Sequence, residues 1–90
     1  MIKAVASKSE RVGGKANVCI EAQNIEEAQS KGAREAALDH AKILGMGRPG
    51  ISGTPWMEWV DEKGFVIPQH EFNNAPVKMV HITWPIQEGL

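Results

Sequence analysis

The feature that most constrains this chain is a stripe of alanines. At 100° per residue, Ala33, Ala36, Ala37, His40, Ala41 and Leu44 fall on one side of a helix, and Lys31, Arg34, Glu35, Asp39 and Lys42 fall on the other. Asn24 can cap the helix start, with Glu27 three residues later, and Gly45 supplies a left-handed cap at the end. One helix is therefore expected from residue 24 to residue 44. Glu27 with Lys31 and Asp39 with Lys42 have the spacing of helical ion pairs of about 0.2–0.5 kcal/mol each. An alanine-faced helix approaches a neighbour closely but buries little, at ~0.8 kcal/mol per methylene. The bulk of the core must come from elsewhere, and strands are the remaining source.

Strand patterns flank the helix on both sides. Ile2, Ala4 and Ala6 alternate with Lys3 and Val5, and Ala16, Val18, Ile20 and Ala22 alternate with Asn17, Cys19, Glu21 and Gln23. Gly13-Gly14 between them suits a hairpin turn. After the helix, residues 45–55 hold four glycines and two prolines in eleven positions, the composition of a surface loop without regular structure. Trp56 to Val60 and Phe65 to Ile67 then flank Asp61-Glu62-Lys63-Gly64, the makings of a second hairpin. Pro68 ends its return strand, residues 69–76 read as a polar connection, and residues 77–84 alternate again with Val80, Ile82 and Trp84 on one face. Pro85 is expected to stop that strand. The reading is an α+β fold: a single antiparallel sheet of about four to five strands in the order ββαβββ, with one helix on one face.

Ninety residues hold one core, so residues 1–90 form a single domain that buries roughly 60–65% of its unfolded surface, with little depth for a large cofactor. No cofactor and no metal are expected. The single cysteine cannot form an internal disulfide, no apolar run approaches a membrane span, and the N-terminus lacks the apolar core of a signal peptide. The expected location is cytoplasmic.

Motifs for chemistry are sparse. Gly45, Gly47 and Gly50 match G-x-G-x-x-G, but they follow a helix and lead toward a strand, the reverse of the phosphate-binding context. His40, His70 and His81 lie outside metal-ligand spacing of one another. His40 sits on the alanine face, His70 in a connection, and His81 should face away from Val80 and Ile82 on the open face of the sheet. Cys19, opposite in facing to Val18 and Ile20, is a nucleophile only if a histidine approaches it. No serine triad, paired-acid signature or Walker loop is present, so the chain reads as noncatalytic.

The aromatic and charged residues say more. Trp56 and Trp59 have opposite parity on one strand, so a regular strand puts at most one of them in the core. An exposed tryptophan near Arg48 and Met57 has the composition of an interface centre, which makes Arg48, Trp56, Met57 and Trp59 the candidate partner-binding set. The formal charge of −1 hides a polarity: residues 1–20 carry Lys3, Lys8, Arg11 and Lys15 against Glu10, whereas residues 56–90 carry five carboxylates against Lys63 and Lys78. Lys3, Lys8, Arg11 and Lys15 are thus the candidate contact to a phosphate backbone. The strand at residues 77–84, last in order, is expected to leave an open edge through which two copies can pair.

Residues 24–36, following a strand that ends in Glu21-Ala22-Gln23, resemble the strand-to-helix junction of HicB-like antitoxins. The layout of two strands, one helix and a meander is also similar to that of small phage-encoded proteins, including some anti-CRISPR inhibitors. These families share little motif, so no functional residue is carried over. The resemblance implies a phage or mobile-element protein that acts by covering a protein surface. Three readings stay open: a noncatalytic protein-binding module; a small enzyme or ligand-binding protein using His40, His81 or Cys19; and a nucleic-acid binder through the basic first hairpin.

Overall fold

The computed structural model describes residues 2–46, 48–49 and 56–87. They form a small α+β fold built on one antiparallel sheet. Its strands are β1 (Lys3–Ala4), β2 (Glu10–Val12), β3 (Lys15–Ala22), β4 (Arg48–Pro49), β5 (Trp56–Val60) and β6 (Lys78–Gln87), and its helices are α1 (Ile25–Ala28), α2 (Lys31–Ile43) and α3 (Gln69–Asn74).

β3 and β6 are the paired centre, in register from Lys15 opposite Pro85 to Ala22 opposite Lys78. β1 and β2 lie on the far side of β3, and β5 and β4 on the far side of β6. This corrects the reading of residues 77–84 as an open edge for a second copy. The strand bonds β3 on one side and, from Met79 to Thr83, β5 on the other, so its backbone is not free to pair with another chain. The reason is long-range: burying Val80, Ile82, Trp84 and Ile86 on the helix side and Met79 on the other face takes a neighbouring strand on each side of β6, and β3 and β5 supply them.

Pro85 does not end the strand. The Ile86 amide donates to the Gly14 carbonyl on the β3 side at 2.7 Å, so the alternation of donors puts the missing proline N–H on the other side, between β5 and β4. The glycine- and proline-rich stretch is likewise not wholly irregular, because the backbone of Arg48–Pro49 pairs with Gln87 and Ile86. Gly47 and residues 50–55 lie outside the described residues, and with Gly47 and Gly50 go two glycines of the G-x-G-x-x-G match.

Two further differences concern local chemistry. The first edge is interrupted: after β1 the chain leaves the sheet in a short 3-10 turn at Ala6–Lys8 and returns as β2, which forms a two-residue hairpin with β3 in which Gly13 has φ +60°, the pattern of a type II′ turn. The expected single helix is two. Asn24 Oδ1 accepts from the Glu27 amide at 2.8 Å while the Glu27 carboxylate accepts from the Gln23 amide at 3.1 Å, so the capping pattern forms as the sequence implies. Ser30 then caps a second start by accepting from the Ala33 amide at 3.2 Å. Lys31 pairs with Glu35 at 3.9 Å on the exposed side of α2.

The main core lies between α2 and the even-numbered residues of the two central strands. Ala33, Ala37 and Ala41 are buried against Ala16, Val18, Ile20, Val80, Ile82 and Trp84. Residues 69–74, read as a connection, form α3, whose Phe72 is fully buried in this core with its ring 4.8 Å from that of Trp59. The return strand of the second hairpin shrinks to one bridge, Val66 opposite Val60. No described helix is long and apolar enough to cross a membrane.

Candidate functional site

The helices cover one face of the sheet, and the other face carries the polar residues of the central strands in ordered rows. Cross-strand register places Cys19, His81 and Glu58 in one row and Asn17, Thr83 and Trp56 in the next. A third row holds Lys3, Glu21, Met79 and Val60. Cys19, Val60 and Met79 are buried in a small second cluster with Val5 and Val77 packed against it. This face is therefore helix-free but not flat.

Its relief comes from two short segments. On the β3 side, the 3-10 turn stands beside Cys19, anchored by Ser9, whose Oγ accepts from the Cys19 amide at 2.8 Å and donates to the Val5 carbonyl at 2.9 Å. On the β5 side, the turn after Val60 is closed by Asp61, whose carboxylate accepts from the amides of Lys63 at 2.9 Å and Phe65 at 3.0 Å. Gly64 there has φ +90°, a conformation that a side chain would strain, and a Cβ at this position would stand 3.9 Å from Cε1 of His81. Between the two segments lies a polar groove of about 370 Å³ lined by Ser7, Lys8, Ser9, Glu10, Lys63, Gly64 and His81.

Electrostatics fix the state of the groove's chemistry. Burial holds the His81 imidazole below its ordinary pKa, against an upward pull from Glu58 and Glu10 and with a further downward push from Lys8. Its Nε2 is buried and has no hydrogen-bond partner among the described residues. Burial pushes the Cys19 thiol up to about 11, although Lys8 opposes the shift. Cys19 is 0% exposed, and no hydrogen bond joins its thiol to the His81 imidazole among the described residues. The two face one another as register partners without forming an activated pair.

The structure divides the partner-binding set. Trp56 is 67% exposed on the helix-free face, while Met57 and Trp59 are half-buried on the helix side, Trp59 against Phe72. The Arg48 side chain lies outside the described residues. The basic set divides too. Register puts Lys3 and Lys15 on the helix-free face, and Lys8 lines the groove, but Arg11 pairs with Ala16 and so faces the helix side, where its Nε donates to the Gly13 carbonyl at 3.2 Å. Carboxylates of Glu10, Glu21 and Glu58 stand among these cations on the helix-free face.

His81 lies where alternation puts it, whereas His40 is half-buried on α2 and His70 is exposed in α3. No group of three His, Cys, Asp or Glu is placed to hold a metal ion among the described residues. Ser7, Ser9, Lys63 and Gly64 are the site residues that sequence reasoning missed. Their only sequence signal is an Asp-x-x-Gly turn and a serine pair, and neither implies that the two segments meet over one strand. No family model, no curated protein and no solved structure matches the chain.

Proposed function

We propose that this protein is a noncatalytic protein-binding module, an inhibitor or adaptor that covers a partner's surface with the helix-free face of its sheet. That role is also the one implied by the layout resemblance to small phage-encoded proteins. The observation that carries the reading is the placement of the tryptophans: Trp59 and Trp84 pack into the core side, and Trp56 stands 67% exposed on the opposite face. A large aromatic held in water forfeits burial worth roughly 25 cal/mol per Å², and tryptophan is the side chain most enriched at binding hot spots. The rows beside it supply a polar rim of Asn17, Thr83 and Glu58.

The state of Cys19 weighs against catalysis, since a buried thiol with a pKa of about 11 is protonated at neutral pH. The carboxylates interspersed among Lys3, Lys8 and Lys15 weigh against a phosphate-backbone track.

Affinity capture from the native host tests the proposal with the wild type, Trp56→Ala and Ile43→Ala. Ile43 is 74% exposed at the end of α2 and serves as the control. A protein held by the wild type and by Ile43→Ala, with affinity for Trp56→Ala lowered about 30-fold or more, is the expected result. Capture indifferent to Trp56, or no specific protein in any arm, would overturn it.

A further inference from the structure

The groove beside His81 supports an assignment that goes beyond the docking role of Trp56 and does not depend on it. Two lysines from separate segments line the groove, Lys8 from the 3-10 turn and Lys63 from the Asp61–Gly64 turn. Neither lysine forms an ion pair or hydrogen bond through its side chain among the described residues, although Glu10 lines the same groove. Two lysines against the single carboxylate of Glu10 leave the lining net positive, which makes the space favourable for an anion.

The other lining groups fit the same ligand. Ser9 is committed at both ends of its hydroxyl, but the Ser7 hydroxyl makes no hydrogen bond among the described residues and can donate. The side chain in the groove that belongs to the central strands is His81, whose buried Nε2 has no hydrogen-bond partner among the described residues. Gly64 has no side chain to intrude on that ring. The volume of about 370 Å³ exceeds what a small ion needs and leaves room for the group that carries it.

We infer that the groove is a binding site for a doubly charged oxyanion of the phosphate type, held by Lys8 and Lys63 and bonded by Ser7, with the His81 imidazole beside it. Glu10 opposes the ligand and tunes the site toward weak, reversible binding.

The test is a titration of the full chain followed by amide and imidazole NMR shifts. The probes are inorganic phosphate and a short phosphoserine peptide, with chloride at matched ionic strength as the reference. Saturable shifts at Ser7, Lys8, Lys63, Gly64 and His81 are expected with at least one probe; saturation by the peptide alone assigns the phosphate to a protein side chain, and saturation by inorganic phosphate assigns it to a small ion. Lys8→Gln and Lys63→Gln should each weaken binding about two- to fivefold and Glu10→Gln should strengthen it, while Lys31→Gln, on the remote side of α2, leaves it unchanged. The spectra of the free variants report that each is folded. The assignment is overturned if neither probe saturates, if chloride gives the same shifts, or if the Lys8, Lys63 and Glu10 variants all bind as the wild type does. Trp56→Ala retains oxyanion binding, so failure here and failure of the docking role are separate results.

Discussion

The hydroxyl of Ser9 takes the place of a missing strand partner beside Cys19, accepting its amide at 2.8 Å where the first edge of the sheet is interrupted. It passes the bond on to the Val5 carbonyl at 2.9 Å, and the Val5 amide in turn donates to the Cys19 carbonyl at 2.8 Å. One side chain thus lets residues 5–9 leave the sheet without orphaning the backbone of a fully buried residue.

Ser9→Ala removes that acceptor and leaves the Cys19 amide unpaired in the interior. The expected loss is about 1–3 kcal/mol, enough to lower the melting temperature of a domain this size by several degrees. A thermal melt followed by circular dichroism measures it. A wild-type melting temperature would mean that water or a shifted strand supplies the bond.

How far the sequence foretells the fold depends on the range of the interaction. The Asn24–Glu27 cap, the Gly13 hairpin turn, the alanine stripe and the opposite facing of Trp56 and Trp59 all follow from residues a few positions apart, and all are present. Strand order is different, because whether β6 is central depends on residues more than fifty positions away in β3, and the alternation of Val80, Ile82 and Trp84 looks the same at an edge. α3 escaped notice because it has one apolar residue, Phe72, and a single residue has no period. The groove is harder still: it forms only because two turns, each readable as an ordinary connection, meet over His81.

Phe72 anchors α3. It is fully buried, and its ring is inclined at 44° to that of Trp59 at a centroid distance of 4.8 Å, within the range of favourable tilted pairs. Phe72→Ala should cost about 3–5 kcal/mol, a large share of the roughly 5–13 kcal/mol available to ninety residues, while Phe72→Leu keeps most of the burial. Urea midpoints for both variants, with near-ultraviolet circular dichroism to report the packing of Trp59, check the ranking. Equal midpoints for the two variants would show that α3 contributes little to the core.

Cys19 should behave as an inert thiol. With its pKa pushed up to about 11, the thiolate fraction at pH 8 is on the order of one in a thousand, and the side chain is 0% exposed. Alkylation by iodoacetamide at pH 8 is expected to run at least about a hundredfold slower in the native protein than in urea. Rapid stoichiometric labelling of the folded chain would contradict the burial and reopen the nucleophile reading.

His81 gives the fold a dependence on mild acid. Its folded pKa lies below the ordinary value, chiefly because burial disfavours the imidazolium, so between neutrality and mild acid the unfolded chain binds the proton first. The groups around the ring act on this in both directions: Glu58 on β5 and Glu10 on β2 draw the pKa up, and Lys8 pushes it down. Lys63 lines the groove, and Cys19 on β3 is a neutral thiol. The stability tied to a neutral His81 is therefore fully present above pH ~6.5 and is lost progressively as the pH falls below that value, before most carboxylates titrate. Urea melts at pH 7.5, 6.5 and 5.5 should show the midpoint falling in the wild type and falling less in His81→Gln, which cannot take up the proton. A midpoint that rises on acidification, or an identical slope in the variant, would mean that Glu58 and Glu10 outweigh burial at this site.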